Sequence, residues 1–201
     1  MKRDTYREAG CEIPNFRISD PAYEEAIRGM VIVTTDVVIV DYQKRTLWLA
    51  TRKARPVSDP WWIGGRRRAG ESLIDAARRN FHRETGLLID PSRFAFVRQA
   101  EFICATRQQE PQNVGCHYLS DLFSVKITEK ERAAMALDKA EYEVDFGLRE
   151  FDRDALLDVQ WSRREWGHAM MATYEHLFLP MLEPPAEERA ESRPTLPFSL
   201  S

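Results

Sequence analysis

The residues that follow a glycine pair in the first half of the chain have types and spacing suited to binding a cation and an anion together. A loop that begins at Gly64 and Gly65 can offer a backbone carbonyl oxygen to a cation, and Glu84 lies in the helical stretch that follows. Carboxylates on one face of such a helix hold magnesium against a diphosphate. Arg66 lies between the glycine turn and the start of the helix, where anions bind readily. The segment therefore predicts a site for a ligand that carries phosphate groups.

The helix that would position these groups is indicated by the spacing of apolar residues. Leu73, Ala76, Ala77 and Phe81 fall on one face of a helix. Gly86 ends this helix naturally, because glycine readily adopts the left-handed conformation that is common after a helix. The pattern predicts one long helix near the centre of the chain.

Strand-forming residues surround the predicted helix. The other predicted elements are a helix over 21–28 capped by Ser19 or Asp20, a hairpin of strands over 30–40 and 46–51, strands over 93–106, 114–127 and 142–151, and a closing helix over 166–179. One long central helix among mixed strands is typical of an α/β sandwich, in which helices pack on both faces of a mixed sheet.

Length and composition indicate one folded domain. The chain has 201 residues, of which 43% are hydrophobic, enough for one sizeable core and too few for two full catalytic domains. Residues 1–20 are predicted to form a loose arm, and residues 21–180 the domain. From residue 181 the chain is rich in proline, glutamate and serine, so it has little apolar surface to bury and a flexible tail is predicted.

Charge and cysteine content argue against several classes of protein. The 29 basic and 32 acidic residues are mixed along the chain and leave a formal charge of −3, so no basic field is available for nucleic acid. The first twenty residues lack the apolar run of a signal peptide, and no later stretch reaches membrane-spanning length. These features predict a cytoplasmic protein with no membrane partner. Cys11, Cys104 and Cys116 have neither metal-ligand spacing nor an even count, so free thiols are expected.

The central helix and the loop before it carry a specific spacing. It runs Gly65, five residues, Glu71, seven residues, and then Arg79-Asn80-Phe81-His82-Arg83-Glu84-Thr85-Gly86-Leu87. This segment resembles the Nudix box, G-x5-E-x7-R-E-U-x-E-E-x-G-U, in which U is aliphatic, and the resemblance implies the Nudix fold. Asn80 replaces the glutamate after the arginine, and Arg83 replaces the first of the paired glutamates. We interpret Asn80 as inert.

The GDP-mannose mannosyl hydrolases, one branch of the Nudix family, have a box that lacks these same two glutamates, and the box of this chain is similar to theirs. The flanking residues that look like this branch are Tyr23, Arg28, Asp36, the run from Arg52 to Pro56, Trp61 or Trp62, Gly64-Gly65-Arg66 and His117-Tyr118. The resemblance covers residues 23–157. It implies cleavage of a nucleotide sugar at the sugar carbon, with inversion and release of a nucleoside diphosphate, assisted by one Mg²⁺ with Mn²⁺ as the alternative.

The resemblance also implies roles for the residues that would bind substrate. Arg55 and Arg66 would neutralise charge on the departing diphosphate, because a guanidinium can pair with phosphate oxygens through two hydrogen bonds. Tyr118 would add a neutral donor, and Asp36 would bind sugar hydroxyls. Both arginines would therefore be catalytic as well as substrate-binding residues.

The metal and the general base are the remaining roles. Glu84 and a carbonyl oxygen of Gly64 or Gly65 would hold the metal. The branch uses a Gln-His pair in a late loop as its base, and residues 129–145 contain neither residue type. The carboxylates available in their place are Glu141, Glu143 and Asp145. We select Glu143, since a carboxylate can activate water if burial raises its pKa.

Two other functions stay open at this point. The first is ordinary Nudix pyrophosphate cleavage, with Glu71, Glu84 and a carboxylate such as Glu143 assembling a cation site. The second is a non-catalytic Nudix module that binds a nucleotide or nucleotide sugar and regulates a partner. In every case the expected ligand is a nucleotide sugar or another small molecule linked to a nucleoside diphosphate. The amino-terminal arm, through the same resemblance, favours a homodimer.

Overall fold

A computed structural model of the chain describes residues 9, 13, 18–53, 60–145, 147–158 and 166–179. In chain order its elements are α1 (Asp20–Gly29), β1 (Ile32–Asp41), β2 (Thr46–Thr51), β3 (Pro60–Trp61), β4 (Ile63–Arg66), α2 (Leu73–Thr85), a 3-10 turn (Pro91–Arg93), β5 (Phe94–Cys104), β6 (Cys116–Val125), α3 (Glu129–Ala133), β7 (Leu148–Phe151), α4 (Arg153–Leu157) and α5 (Gly167–Phe178). The predicted tail and most of the predicted arm lie outside the described residues, so the proposed domain limits stay predictions.

Seven strands in the described part of the chain form one mixed sheet. Their hydrogen-bonded order is β3-β2-β1-β6-β5, while β4 pairs with β1 and β7 pairs with β2. β1 and β6 run parallel, and the other pairs are antiparallel. β4 pairs with the first half of β1, and β2 pairs with the second half of β1. The antiparallel pairing of β1 with β2 confirms the predicted hairpin. β1 is therefore the central strand of the sheet.

The central strand is apolar on both faces because both faces are covered. Successive side chains of a strand point to opposite sides. Val37 packs in a cluster with Phe81 of α2 on one side. Val38 packs on the other side in a cluster with Tyr23 of α1 and Met170 of α5. Helices thus pack on both faces of the sheet, which confirms the predicted α/β sandwich.

The long helix α2 begins after a capping serine and ends at a glycine. The Ser72 hydroxyl accepts a hydrogen bond from the backbone N–H of Asp75, which satisfies one of the free donors at the helix start. Gly86 follows the helix with φ 72°, in the left-handed region, and its N–H donates to the carbonyl of His82. Ala76, Ala77 and Phe81 on its apolar face are fully buried, as the periodicity predicts, and Leu73 at its first turn is half-buried.

The carboxyl-terminal third differs from the sequence prediction. The predicted strand over 142–151 is only β7, because residues 144 and 145 turn and Gly147 has a positive φ of 54°. The short helices α3 and α4 were not predicted. Each begins at a capping residue, Thr128 and Asp152 respectively, and each is too short for an apolar period to show.

Cys104 and Cys116 are buried thiols that are not joined in a disulfide, and Cys11 lies outside the described residues. No helix within the described ranges combines the length and the apolar character needed to cross a membrane.

Candidate functional site

A cleft of about 1350 Å³ opens where α1, the first half of β1, β4 and the end of α2 meet. One end is polar and is lined by residues of α2 and of the segment 138–142. The other end is aromatic and is lined by Trp61, Phe102 and Trp166, whose rings contact one another. The cleft can therefore accept a ligand with a charged part and a flat apolar part.

Asp36 lies in the floor of the cleft on the central strand. Thr34 Oγ1 donates a hydrogen bond of 3.0 Å to Asp36 Oδ2, and the Ser120 hydroxyl donates to the same oxygen from the neighbouring strand β6. The residue is 8% exposed. Burial raises the pKa of Asp36 above its usual range, although the hydrogen bonds from Ser120 and Thr34 and the charge of Arg52 oppose this effect.

Gly64 makes room for this aspartate. In the β1–β4 ladder Gly64 is the direct partner of Asp36. A β-carbon at position 64 would lie 2.7 Å from the Asp36 α-carbon and 2.7 Å from the Thr35 carbonyl oxygen, closer than real side chains approach backbone. Glycine at this position is thus required by packing.

Arg66 and two tyrosines form the middle of the cleft. The Arg66 guanidinium lies over the Tyr23 ring, with its carbon 3.5 Å from the ring centroid. Burial raises the pKa of Tyr23 and also that of Tyr118, and the two phenols hydrogen-bond to each other. Both phenols are therefore protonated at neutral pH, as expected for Tyr118 acting as a neutral donor.

Arg79 ties the loop after β4 to α2. Its Nε and Nη2 donate to the two carboxylate oxygens of Glu71 at 2.6 and 2.8 Å, and Nη2 also donates to the Arg66 carbonyl at 2.9 Å. Burial alone would raise the pKa of Glu71, but the hydrogen bonds from Arg79 and from the Arg68 N–H lower it overall. The Glu71 carboxylate is used to hold this loop in place.

Asn80 is wholly buried and bridges three neighbours, so the interpretation of it as inert is wrong. Its Nδ2 donates to the carbonyl oxygens of Gly65 at 2.8 Å and Thr35 at 3.2 Å. Its Oδ1 accepts from Arg79 Nη1 at 2.7 Å. The side-chain amide donates and accepts at the same time, so Asn80 joins α2 to both β1 and β4.

Glu84 and Arg83 lie side by side at the polar end. The Glu84 side chain is 2% exposed, whereas that of Arg83 is 49% exposed. Arg83 Nε donates to Glu84 Oε1 at 2.9 Å, and Nη2 donates to the same oxygen and to the Gly64 carbonyl at 3.3 Å. Burial raises the pKa of Glu84, against the charge and hydrogen bonds of Arg83 and with the help of the nearby Glu141.

The residues expected to hold a metal already contact other groups of the protein, and only Glu84 Oε2 among their carboxylate oxygens is buried without a hydrogen-bond partner in the described residues. The Gly65 carbonyl accepts from Asn80, Glu71 is bound by Arg79, and Glu84 is bound by Arg83. Glu143 is 44% exposed, lies 3.9 Å from Lys53 Nζ and is not among the described residues that line the cleft. No group of three His, Cys, Asp or Glu side chains in the described ranges is arranged to hold a metal ion. This arrangement does not fit a divalent cation held by protein carboxylates.

The structure brings most of the predicted site residues together. Those that line the cleft are Asp36, Gly65, Arg66, Glu71, Glu84 and Tyr118. Glu143 stays outside the cleft lining, and Arg55 lies outside the described residues. The roles given to all of these residues stay predictions.

Arg52 and Tyr142 also line the cleft. Sequence reasoning matched Arg52 to the mannosyl hydrolase branch without giving it a role, and it missed Tyr142. The two residues form an isolated antiparallel bridge, and Arg52 Nη2 lies 3.4 Å from Glu141 Oε2. Burial raises the pKa of Tyr142, and the negative charge of the nearby Glu84 raises it further. The contacts of Arg52 with Glu141 and Tyr142 join distant parts of the chain, so no local pattern predicts them.

Comparison with known proteins identifies the fold. A NUDIX domain model matches residues 30–170. No curated protein matches the chain significantly. The MutT NUDIX hydrolase from Burkholderia pseudomallei is similar in structure at 19% identity and a TM-score of 0.52, over 73% of this chain and 98% of that one. The dihydroneopterin triphosphate pyrophosphohydrolase from E. coli is similar at 15% identity and a TM-score of 0.51, over 75% and 99%.

A third structural match is partial. It is a MutT/nudix family protein from Enterococcus faecalis, at 17% identity and a TM-score of 0.44, and the match spans 70% of this chain but only 46% of that longer one. At such identities a structural likeness shows the fold alone, whereas the domain model covers well over half of the sequence. The chain belongs to the Nudix hydrolase family.

Proposed function

We propose that the protein hydrolyses a nucleotide sugar of the GDP-mannose type at the sugar carbon, releasing a nucleoside diphosphate and the sugar. One observation carries the proposal. The cleft holds two carboxyl groups whose pKa is raised by burial, Asp36 and Glu84, beside the guanidinium groups of Arg66 and Arg83. Attack at carbon needs a base near the sugar and positive charge near the departing diphosphate, and the cleft offers both.

The arginines and Tyr118 would receive the diphosphate. A guanidinium pairs with phosphate oxygens through two parallel hydrogen bonds. Arg66 is held over the Tyr23 ring, so its planar group is already oriented before a ligand arrives. The raised pKa of Tyr118 keeps its hydroxyl a donor at neutral pH. As the bond from the sugar carbon to the phosphate oxygen breaks, the electron pair stays on that oxygen, where these groups stabilise it.

Glu84 is the best-placed general base, in place of Glu143. A carboxylate whose pKa is raised toward neutrality accepts a proton more readily from an attacking water. Water oxygen would bond to the sugar carbon, and its proton would pass to Glu84. Asp36, in the floor of the cleft, would accept hydrogen bonds from sugar hydroxyls. Glu143 lacks such burial, and its carboxylate faces Lys53 at the surface.

Nudix hydrolases generally use divalent metals such as Mg²⁺. In this chain the expected donors are bound to Asn80, Arg79 and Arg83. The steps above therefore rely on the protein's own arginines for positive charge. The original expectation of Mg²⁺ dependence is tested by running each reaction with and without the metal.

The deciding experiment is a product analysis by phosphorus and proton NMR. The purified protein is incubated with GDP-mannose and related nucleotide sugars, with Mg²⁺ or with EDTA. GDP plus free sugar supports the proposal, and the first-formed anomer reports inversion. A nucleoside monophosphate plus sugar phosphate would contradict it in favour of ordinary diphosphate cleavage. Binding without any turnover would contradict it in favour of a regulatory module.

Glu84→Gln is expected to lower the turnover rate at least about a hundredfold, the contribution typical of a general base. The amide keeps the shape of the side chain but cannot accept the proton. Initial rates and thermal unfolding are compared with Glu129→Gln, which removes a carboxylate from exposed α3 away from the cleft.

Glu143→Gln distinguishes the two candidate bases. A rate close to that of the original protein is expected, because Glu143 does not line the cleft. Loss of turnover in Glu143→Gln together with normal turnover in Glu84→Gln would restore the assignment made from sequence.

A further inference from the structure

The Arg83 guanidinium lies between the two groups that the Nudix-box resemblance assigns to a metal. It donates to Glu84 Oε1 through Nε and Nη2, and to the Gly64 carbonyl through Nη2. A buried carboxylate and a loop carbonyl are the donors that a cation would share at this place. Here one positively charged side chain of the protein already bridges them.

The charge balance of the polar end agrees with this position. Glu84 is 2% exposed, and a carboxylate so buried needs a compensating positive charge. A guanidinium is charged at every accessible pH and is more weakly hydrated than a small ion, so it suits a partly buried pair. The next carboxylate, Glu141, has its own arginine, Arg52, at 3.4 Å. Glu84 and Glu141 are thus each paired with an arginine at this end of the cleft.

Arg83 can also reach a ligand. Its side chain lines the cleft and is 49% exposed, and its hydrogen bonds within the described residues run from Nε and Nη2. Nη1 is left to donate to a phosphate oxygen. The same group that neutralises Glu84 can therefore bind the anion that a metal would otherwise bridge to the protein.

We propose that Arg83 is a resident cation that takes the place of the divalent metal, so that the cleft excludes the metal and binds a diphosphate without it. The diphosphate as ligand rests on the proposed function. The exclusion of the metal does not, because it follows from the contacts of Arg83 alone.

The metal by itself is the first probe. Free Mn²⁺ is followed by electron paramagnetic resonance as it is titrated into the original protein, Arg83→Glu and Arg83→Gln. Arg83→Glu places a second carboxylate beside Glu84, so it is expected to bind Mn²⁺ at least about tenfold more tightly than the original protein. The Mn²⁺ affinity of Arg83→Gln is expected to lie between those of the original protein and Arg83→Glu. Arg149→Glu makes the same charge change on exposed β7, outside the cleft lining, and is expected to bind no better than the original.

Equal Mn²⁺ affinity in the original protein and Arg83→Glu would overturn the proposal. Arg83 is half exposed, so both substitutions should fold, and thermal unfolding checks this. If Arg83→Glu fails to fold, Arg83→Gln is the deciding variant. It is expected to bind Mn²⁺ more tightly than the original protein, and an unchanged Mn²⁺ affinity would overturn the proposal.

The second probe is GDP, titrated calorimetrically with EDTA and then with Mg²⁺. The original protein is expected to bind GDP with the same affinity in EDTA and in Mg²⁺. Arg83→Gln should lose about tenfold in GDP affinity in EDTA, and Arg83→Glu should bind GDP only when Mg²⁺ is present. Binding by the original protein only with Mg²⁺ would overturn this inference and leave the proposed hydrolysis intact. Failure to bind GDP in either buffer would overturn the diphosphate ligand and the proposed function together, while metal exclusion would still be decided by the Mn²⁺ titration.

Discussion

Gly64→Ala is expected to lower the melting temperature by roughly 6–12 °C, because overpacking of this kind costs about 3 kcal/mol and a domain of this size loses about 2–4 °C per kcal/mol. The new methyl group would lie 2.7 Å from the Asp36 α-carbon and from the Thr35 carbonyl oxygen. Both are backbone atoms of the central strand, so neither can move away cheaply. The β1–β4 ladder would have to open, and the Asp36 carboxylate and the loop before α2 would shift with it.

Differential scanning calorimetry measures this effect, with Gly29→Ala as the matched control. Gly29 is the last residue of α1, and a β-carbon there meets nothing within 4 Å. The control should melt close to the original protein. A Gly64→Ala protein that also melts within about 2 °C of the original, well below the cost of overpacking, would show that the ladder is less tightly packed than described.

Arg79→Met is expected to destabilise the protein by about 3–5 kcal/mol, the typical cost of removing one partner of a buried ion pair. Arg79 binds both oxygens of Glu71, whose side chain is only 6% exposed, and also the Arg66 carbonyl. Without it, a buried carboxylate would lose its charge partner and the loop that carries Arg66 would lose its tie to α2. Chemical denaturation measures the free energy of unfolding.

The double variant Arg79→Met, Glu71→Gln identifies the cause. It should recover part of the lost stability, because the uncompensated charge is gone. Arg132→Met, which breaks the exposed pair with Glu129 on α3, should cost less than about 1 kcal/mol. If the two arginine variants are equally stable, the Arg79 ion pair contributes no more than a surface pair.

The ion pair between Arg79 and Glu71 also predicts that the free energy of unfolding falls in acid. The folded-state pKa of Glu71 lies below its ordinary value of 4.5, so the pair contributes stability that is fully present above that value. This stability is lost as the pH falls below 4.5 and through the lower folded-state pKa. Between pH 7 and pH 3 the original protein should therefore lose more stability than the double variant.

Much of the framework could be predicted from short stretches of sequence. The N-cap at Ser72, the apolar face of α2 and the ending at Gly86 are all local, and the helix follows them within a residue. β1 and β2 are signalled by their β-branched residues. The spacing from Gly65 to Leu87 identified the family, because it records a loop and a helix that are adjacent in the chain.

The carboxyl-terminal third could not be predicted as well. α3 and α4 depend on single capping residues, Thr128 and Asp152, and are too short to show a period. The turn at residues 144 and 145 interrupts a stretch whose composition favours a strand. β7 itself is held by its pairing with β2, which joins residues about a hundred positions apart.

By itself, the sequence determined the Nudix box, the central helix, the α/β sandwich and the presence of Asp36, Arg66, Tyr118 and Glu84 as candidate site residues. Only the tertiary structure decided which groups are free to act. Glu71 is bound by Arg79, and Arg83 lies between Glu84 and the Gly64 carbonyl. Glu143 is not among the described residues that line the cleft. The physical reason is that residue type and spacing determine what a side chain can bind, whereas burial and the charge brought beside it from elsewhere in the fold determine what it does bind.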